Sequence, residues 1–506
     1  MMYSRVLHNP LNGRFTNLWL RPRVSYDDAI SQEKSATEYN QNNAWNVNFN
    51  NGNFNNNNKY NANVVRGVAA FHGLKYSFTH LPKEAQDNDA FLSFFESVRF
   101  AYHDCMRGKK RSPQAIEYMC IAWADLPSLA WELFTGTYSP STSTCFLVKY
   151  PKLREVFAAN FRDRIVHHWI CLRLEPLFEY RFNLQGNVSF NCRKGFGTEK
   201  CVLHCAGGMK RVSQCYTKPA WVFKGDLVGF FMSIDKNLLW YLLERFISRW
   251  KKNSTRLGFT HYGLEMPIMY WEQLLDAVKK TVMHHPELDC IFNSPIKLWK
   301  GLARLKSLFG VPKGKGEPIG NLTTQLFANF LMSFFDIFVL WLFRHKNFSY
   351  ERFVDDWSLT CDDLDFLVAA IPKMEKYLGK LRLCMHKDKR YLQPVSHGVL
   401  MVGSYIKPNR IYISNRTLAR FKEKVVGFGR FLKAKAELTI LDCKRIEQVV
   451  NSYLGFCKNK RTYKKRKEIL SWMGERFFKY FYIRGDFVSI RTKAKYRFVK
   501  PTANIV

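Results

Sequence analysis

Three aspartates stand where carboxylates could hold metal ions. Asp355 and Asp356 are adjacent and lie between extended apolar segments, in the run Phe353-Val354-Asp355-Asp356. Neighbouring carboxylates are costly there unless a cation lies beside them, and Mg²⁺ prefers carboxylate and phosphate oxygens. Two such ions about 4 Å apart can activate a 3′-hydroxyl and stabilise a leaving pyrophosphate. A third carboxylate is then required, and Asp226, at the end of a β-rich run, is placed to supply it.

A lone Asp-Asp pair has a simpler interpretation, because most such pairs are solvated turns. The pair Asp362-Asp363 illustrates it, since this pair lacks apolar flanks and is predicted to open a helix. The apolar flanking residues distinguish Asp355-Asp356 from Asp362-Asp363. The chemistry of the first pair therefore depends on the secondary-structure elements that position it.

The charge of the chain predicts a polyanionic partner. It has 506 residues, with 78 Lys plus Arg against 42 Asp plus Glu, for a formal net charge of +36. A positive electrostatic potential of this size attracts anionic partners, which could be nucleic acid, an anionic membrane surface or an acidic protein. Nucleic acid is favoured because basic residues alternate with aromatic residues that can stack on bases. With 47% hydrophobic and 16% aromatic residues, the chain can bury a substantial core, and its length predicts two to four domains.

The cysteines predict free thiols in a reducing cytoplasm. The 13 cysteines are scattered, and no CxxC pair occurs. The first 30 residues also lack the apolar stretch of a secretory signal. Cys201, His204, Cys205 and Cys215 match no strong zinc spacing, and a packed helix is the preferred interpretation of that segment.

The longest apolar run, Leu326 to Phe343, predicts a buried core helix. Asn329, Ser333 and Asp336 interrupt it. In lipid each of these groups would need a partner, so a membrane span is disfavoured and no membrane partner is expected.

Apolar spacing and turn residues predict alternating helical and extended pieces. Residues 236–308 are predicted to be largely helical, 310–320 to be a Gly/Pro/Lys loop, and the last 90 residues to be helical and basic. The other predicted elements are helices over 88–135 and 153–180, a strand over 145–150, β-rich residues over 221–234 leading to a helix near Ser233 with Asp235 in its first turn, a β-hairpin around 353–358, a helix over 362–382, and extended pieces at 399–406 and 411–413.

An asparagine-rich segment precedes these elements. Asn fills 14 of the 24 positions from Asn40 to Asn63, which is typical of a polar linker. Trp45, Val47 and Phe49 alternate before Gly52, however, so a small hairpin-like unit is the alternative.

The order of motifs resembles prokaryotic reverse transcriptases, and is similar to the diversity-generating retroelement and the unknown-group, defence-associated enzymes. The resemblance covers about residues 130 to 415. It rests, in the family's order, on KLREVFAANFRDRIVHHWI, NVSFNCRKGFGT, FKGDLVGFFMSID, GEPIGNLTTQLFANFLMSFFD, ERFVDDWSL, LCMHKDKR and GVLMVGSYI.

The resemblance implies an α+β right-hand polymerase with helical fingers, an antiparallel palm sheet, a helical thumb and an N-terminal extension. The implied divisions are 1–80 for the extension, 81–220 for the fingers, 221–250 and 318–410 for the palm, 251–317 for a helical insertion that binds RNA or a partner, and 411–506 for a basic thumb.

The resemblance also implies roles for individual residues. Asp226, Asp355, Asp356 and the backbone of Leu227 would hold two Mg²⁺ ions, with Mn²⁺ as the alternative. The dNTP would contact Lys152, Arg154, Phe231, Gly320 and either Lys387 or Lys389, whereas nucleic acid would contact Arg193, Lys194, Ile319, Asn321, Lys464, Lys465, Arg466 and Lys467.

Several of these assignments have alternatives. Phe231 would exclude a ribose 2′-hydroxyl, but core packing is its plain interpretation. Lys152 and Arg154 could be a solvated surface pair. Ile319 replaces a template-bonding Gln of the retroviral type, which predicts lower fidelity, and Phe353 replaces the usual Tyr with little expected effect on metal binding.

The implied activity is RNA-directed DNA polymerisation from a dedicated non-coding RNA, with dNTPs and an RNA–DNA duplex as partners, and an accessory protein or a second copy as a further partner. Antiphage defence and mutagenic copying in a diversity-generating retroelement are the two expected roles. A catalytically silent RNA-binding scaffold and a metal-dependent nuclease are the alternatives of other classes.

Overall fold

The fold was obtained as a computed structural model, which describes residues 46–48, 53–55, 76–109, 112–149 and 152–497. Within these residues helices and strands both occur, so the mixed α+β class predicted from the sequence is confirmed. Most of the predicted extension over 1–80, including Trp45 and Phe49, lies outside the described residues.

Most helices of the described residues begin close to the predicted limits, but the prediction of a helix over 153–180 was wrong at its start, because a strand occupies Arg154–Ala158 and the helix begins at Phe161. The prediction for Asp235 was slightly wrong, because it precedes a helix as its N-cap and accepts a hydrogen bond from the Leu238 amide. The helices are α1 (Lys83–Gln86), α2 (Asp89–Met106), α3 (Pro113–Thr135), α4 (Phe161–Leu184), α5 (Thr198–Val212), α6 (Phe230–Ser233), α7 (Lys236–Leu257), α8 (Trp271–Met283), α9 (Leu322–Leu342), α10 (Leu364–Lys380), α11 (Asn415–Ala434), α12 (Ile440–Cys457), α13 (Tyr463–Ser471) and α14 (Phe477–Tyr480).

The strands form small sheets, and most pairs are antiparallel. The strands are β1 (Asn46–Asn48), β2 (Asn53–Asn55), β3 (Ser143–Val148), β4 (Arg154–Ala158), β5 (Trp221–Gly225), β6 (Cys290–Phe292), β7 (Phe348–Phe353), β8 (Asp356–Cys361), β9 (Tyr391–Pro394), β10 (Val399–Met401), β11 (Ser404–Lys407), β12 (Arg410–Ile413), β13 (Phe481–Arg484) and β14 (Ser489–Thr492). The pairing of β1 with β2 confirms the hairpin alternative for the asparagine-rich segment at these two strands.

A four-stranded antiparallel sheet with the order β7-β8-β5-β9 occupies the middle of the fold. Successive side chains of a strand point to opposite faces. On one face Tyr350, Trp357 and Leu359 join the main apolar core beneath α9. On the other face Glu351 and Ser358 meet α5. Both faces are therefore covered, and the ends of the strands remain for chemistry.

Helix α9 is the apolar run noted in the sequence, and it is a core helix as predicted. By length and composition it would fit a membrane span, but 61% of its most apolar window is buried inside the protein. Its interrupting residues Asn329, Ser333 and Asp336 are all buried and hydrogen bonded.

Two segments are less helical than predicted. After α8 ends at Met283, the predicted helical insertion continues as β6, which pairs in parallel with β3, and then as short 3₁₀ turns. Near the C-terminus the basic region contains the hairpin β13–β14, packed on a separate core with α11 and α12. The division into fingers, palm, insertion and thumb remains a prediction.

Candidate active site

The three predicted aspartates meet at one end of the central sheet. Asp226 directly follows β5, and Asp355 and Asp356 form the tight connection from β7 to β8. In the β5–β8 register Gly225 lies opposite Trp357, so one further step sets Asp226 opposite Asp356. Opposed antiparallel residues have Cα atoms about 5 Å apart. Burial and the nearby Asp226 carboxylate raise the pKa of Asp355, as expected where carboxylates crowd together.

The turn that carries these carboxylates is strained. Val354 has φ of 62°, in the left-handed region that β-branched residues avoid. Two hydrogen bonds hold it there. The Val354 amide donates to Asn191 Oδ1 at 2.9 Å, and Arg352 Nη1 donates to the Val354 carbonyl at 3.0 Å. The direction in which Asp355 and Asp356 point is thus set by residues on either side of the turn.

A buried polar network supports that clamp from α9. The fully buried Arg352 donates to Asp336 through Nε and Nη2, and to Asn329 Oδ1 at 2.9 Å. Asn329 also accepts from Ser189 Oγ and donates to the Asn191 carbonyl. Because a buried ion pair is costly when incomplete, this network fixes one geometry of the turn.

Sequence reasoning had treated Asn329 and Asp336 only as interruptions of an apolar run, and it missed Asn191. One signal was present. A charged residue in a buried helix requires a partner of opposite charge, and Arg352 adjoins the Asp-Asp box.

Two lysines neutralise two of the three carboxylates. Lys224, which sequence reasoning missed, forms an ion pair with Asp356. Lys389 Nζ lies 2.7 Å from Asp226 Oδ2. Burial lowers the pKa of Lys224 to about 8, although the nearby carboxylates of Asp226 and Asp355 act in the opposite direction. Of the two lysines left open by the sequence, Lys389 contacts the aspartates, whereas Lys387 is exposed on the same short turn.

The donor chemistry of the site fits hard cations such as Mg²⁺, since carboxylate and backbone oxygens are their ligands. Leu227 lies opposite Met385 in an isolated antiparallel β-bridge, whose hydrogen bonds are made by the Asp226 carbonyl and the Val228 amide. This pairing therefore does not use the Leu227 carbonyl. Among the described residues, however, no group of three His, Cys, Asp or Glu side chains has ready metal-site spacing. Asp226 and Asp356 contact lysines instead, so metal binding requires these ion pairs to open.

The segment 316–321 is held by backbone hydrogen bonds to α6, which follows Asp226, and to β4. The Glu317 amide donates to the Phe231 carbonyl, and the Phe157 amide donates to the Ile319 carbonyl, each at 2.8 Å. Gly320 has φ of 133°, and a Cβ there would collide with the Phe157 carbonyl, so only glycine fits. Asn321 is buried, and its Oδ1 accepts a 3.4 Å hydrogen bond from Ala159.

Phe231 and Ile319 are both half-buried at this boundary. Phe231 lies in α6, five residues after Asp226, with its ring 5.2 Å from that of Phe230. Ile319 packs against a small cluster that includes Phe157 and Leu308. Each therefore combines packing with an accessible part, and their roles toward substrate stay predictions.

A group of cations lies beside the carboxylates. Lys152 and Arg154 are exposed around the start of β4. Partial burial and the neighbouring cations Arg416, Lys389 and Arg154 lower the pKa of Lys152. Such crowding is unfavourable without an anion, and the choice between a triphosphate contact and a solvated surface pair stays a prediction. Arg416, at the start of α11, was not found from the sequence.

Arg193 does not have the predicted exposure to nucleic acid, and this prediction was wrong. Its guanidinium is buried, forms an ion pair with Glu179 at 2.8 Å and donates to the Ser189 carbonyl. It also lies 4.0 Å from the centroid of the Phe196 ring. Its donors are used to hold the Gly-rich loop in place. Lys194 is exposed, with Glu175 as its partner.

The basic block of α13 is also only partly as predicted. Lys464, Lys465 and Lys467 are exposed, and Lys465 pairs with Glu468 at 2.9 Å. Arg466 is buried, and its Nη1 donates to the Phe487 carbonyl beyond β13. The prediction of a nucleic-acid contact was therefore wrong for Arg466, because the helical period turns it toward the core.

Comparison with known proteins gave limited similarity. No family model matches the chain. It is 30% identical over 128 residues to the curated Protein YkfC of Escherichia coli strain K12, which is 24% of this chain and 32% of that protein. The chain thus matches about a third of the length of this relative.

Solved telomerase structures are similar at a low level. A Candida albicans telomerase in complex with a TWJ fragment of telomeric RNA has a TM-score of 0.37 and 13% identity, covering 68% of this chain and 61% of that one. An apo telomerase of Candida tropicalis has a TM-score of 0.38 and 11% identity, covering 67% and 62%. At these scores the function has to be argued from the geometry of the chain itself.

Proposed function

We propose that this chain is a reverse transcriptase with a right-hand polymerase fold, which adds deoxynucleotides to a 3′ end opposite an RNA template. The observation that carries the proposal is the meeting of Asp226, Asp355 and Asp356 at the end of an antiparallel sheet, next to an exposed group of cations. The carboxylates suit divalent cations, and the cations suit a triphosphate.

Residues of the chain would divide the work as follows. Asp226, Asp355 and Asp356 would hold two Mg²⁺ ions, with Mn²⁺ as the alternative. When bound, such ions supply activation of the 3′-hydroxyl and stabilisation of the leaving oxygen. Lys152 and Arg154 would bind the triphosphate and orient it toward the carboxylates.

The lysines already paired with the carboxylates fit a second task. Lys389 contacts Asp226 at 2.7 Å and is more than half exposed, so it can turn toward the leaving pyrophosphate when the ion pair opens. Lys224 is buried and paired with Asp356, where it balances negative charge until a divalent cation binds and the ion pair opens.

Primer extension by the purified full chain tests the proposal. An RNA template with an annealed DNA primer, Mg²⁺ and dNTPs should give extension, and Asp355→Asn with Asp356→Asn should abolish it. The matched control is Asp362→Asn with Asp363→Asn, the nearby pair at the start of α10, which should retain activity. Cleavage of nucleic acid without dNTP incorporation would instead indicate a nuclease, and RNA binding without either activity would indicate a scaffold.

Two further variants test the assigned substrate contacts. Phe231→Ala should admit ribonucleotides, because the ring no longer blocks a 2′-hydroxyl. Ile319→Gln should change the misincorporation spectrum, because an amide could bond the template. Unchanged sugar selectivity or an unchanged spectrum would remove the corresponding role.

For the cell we propose antiphage defence with a dedicated non-coding RNA as template, in keeping with the resemblance of the motifs. Phage plating with the wild type and the Asp355→Asn, Asp356→Asn variant, together with sequencing of bound RNA and new DNA, tests this role. Products copied from a template repeat beside a variable gene would indicate a diversity-generating retroelement instead.

A further inference from the structure

The segment after α8 exposes apolar side chains that a folded protein usually buries. Phe292 is 44% exposed and Phe309 is 42% exposed, and their rings stack with centroids 5.5 Å apart. Ile296 and Leu305 are exposed by 69% and 63%. Adjacent exposed apolar groups of this kind mark a binding surface.

The same segment is strongly basic. Residues 296–316 contain six Lys or Arg and no Asp or Glu. Among the residues that the structure describes, Lys297, Lys300, Arg304 and Lys306 make no ion pair. We call Phe292, Lys297, Lys300, Arg304, Lys306 and Phe309 the insertion surface. Exposed rings among unpaired cations favour an unpaired nucleic-acid strand, because only unstacked bases offer their faces to aromatic rings.

The insertion surface is held rigidly on β4. The buried Glu155 accepts hydrogen bonds from Trp299 Nε1 at 2.7 Å, Ser307 Oγ at 2.7 Å and the Leu308 amide at 2.6 Å. These three bonds fasten the 3₁₀ turns to the strand that begins at Arg154. A surface fixed in this way needs little ordering when it binds a flexible strand.

The insertion surface also adjoins the candidate active site. The Phe309 ring lies 5.7 Å from the Phe157 ring, and Phe157 binds the Ile319 carbonyl through its amide. On the other side Leu153, between Lys152 and Arg154, lies next to Gly301. The surface is thus continuous with both the segment 316–321 and the exposed cations near the carboxylates.

We propose that the insertion surface binds the single-stranded RNA template before it is copied, with bases stacking on Phe292 and Phe309 and phosphates meeting Lys297, Lys300, Arg304 and Lys306. This inference rests on the proposed function for the identity of the strand. The sequence predicted that the insertion binds RNA or a partner, and the inference assigns it one ligand, the template strand. It also names the residues that contact this strand.

Binding of a labelled, unstructured single-stranded RNA, measured by fluorescence anisotropy without dNTPs, tests this proposal. Lys297→Glu with Lys300→Glu should weaken binding about tenfold and lower the slope of log affinity against log salt by about 1.4. Lys373→Glu with Lys376→Glu, two exposed lysines on α10, is the charge-matched control and should have little effect. Equal effects of the two double variants would overturn the proposal.

The ring contribution is tested separately. Phe292→Leu should weaken binding about fivefold, and Phe292→Tyr, which keeps the ring, should bind as the wild type does. Tyr and Leu variants that bind equally would remove the stacking contact. An effect confined to single-stranded DNA, with RNA unchanged, would overturn the assignment to the template.

Extension assays separate this inference from the proposed function. With a template overhang of one nucleotide the lysine variant should extend as well as the control variant, whereas with a long overhang it should stall. If neither the wild type nor any variant extends a primer, the proposed function fails. The RNA-binding comparison then still tests whether the insertion surface binds single-stranded RNA. If the lysine variant extends long overhangs normally, the inference fails and the polymerase remains.

Discussion

At the scale of single residues, the strained Val354 links the buried network to the proposed chemistry. A β-branched residue in the left-handed region costs of the order of 1–3 kcal/mol and persists only where its surroundings hold it. The Asn191 side chain supplies one of the two hydrogen bonds that do so. We therefore expect Asn191→Ala to lower the kcat of single-nucleotide addition at least tenfold with little change in the KM for dNTP, because the carboxylates lose their fixed direction.

A second substitution separates positioning from simple loss of folding. Val354→Gly removes the strain, because glycine adopts a φ of 62° freely. In the Asn191→Ala background it should restore most of the lost kcat, as measured by rapid-quench incorporation. A double variant no more active than Asn191→Ala alone would show that Asn191 acts by another route.

Glu317 predicts a pH dependence of stability. Burial raises the pKa of this carboxyl to about 7, and the folded state therefore holds its proton more tightly than the unfolded chain, whose pKa is 4.5. Stability from this group is present below pH 4.5 and is lost as the pH rises toward 7. Glu317→Gln should remove this loss, so at pH 8 it should be more stable than the wild type by about 3 kcal/mol, against little difference at pH 4.5.

Urea unfolding at the two pH values measures this difference. Glu265→Gln, at an exposed glutamate, is the control and should give curves that match the wild type at both. If the free energy of unfolding differs between the wild type and Glu317→Gln by the same amount at pH 8 as at pH 4.5, the burial of a charged carboxyl is contradicted.

The residues predicted from the sequence were those whose chemistry is local. Asp226, Asp355 and Asp356 could be predicted because apolar, β-rich residues flank each of them in the sequence. The strands that these residues form bring the three carboxylates to one end of the sheet. Arg193 was misassigned, because exposure depends on Glu179, which the fold brings to it from α4. Lys224 could have been found, since it lies two residues before Asp226 on a strand, and such residues share a face.

At the scale of elements, the contact of α5 with the central sheet depends on one glycine. Gly208 is buried, and a Cβ there would collide with the Ser349 side chain of β7. Gly207, one residue earlier, is exposed and has open space around its Cα. Gly208→Ala should therefore lower the free energy of unfolding by about 2 kcal/mol, because the helix must move away from the sheet.

Gly207→Ala provides the opposite expectation for the same chemical change. It should raise the free energy of unfolding by roughly 0.5–1 kcal/mol, because alanine is the better helix former. Denaturant unfolding of both variants measures the contrast. Two variants that shift stability in the same direction would show that the close approach of α5 to β7 is not a determinant of stability.

Elements were predictable where one period dominated. The hairpin β7–β8 and the apolar helix α9 follow directly from alternation and from a long apolar run. The hairpin β13–β14 was missed because the dense basic residues hid the alternation of its strands and the turn at Gly485. In the insertion, helical spacing stopped predicting structure after Met283, where Glu155, distant in sequence, organises the turns.

At the scale of the whole molecule, clusters of positive charge recur on separate elements. Cations crowd beside the carboxylates, continue over the insertion surface and recur on α13 after the sheet. A template strand on the insertion surface and a product duplex on α13 would each meet positive charge. Affinity should therefore be shared among distant elements, while chemistry remains with three aspartates.

This division predicts how α13 affects synthesis. Lys464, Lys465 and Lys467 are exposed on this helix, and their replacement by Ser should remove up to three phosphate contacts with a product duplex. The salt slope of duplex binding should then fall by about 2.7, and the length of DNA made per binding event should fall several-fold, since each dissociation ends a product. The rate of adding the first nucleotide from a preformed complex should stay the same, because these lysines lie on the packed C-terminal helices and not among the groups that contact the carboxylates.

Extension in the presence of a trap for released enzyme measures both quantities. Lys373, Lys376 and Lys380, exposed on α10, replaced together by Ser, are the control for lost charge, and a control that shortens the products equally would assign the effect to the net charge of the chain instead of to α13.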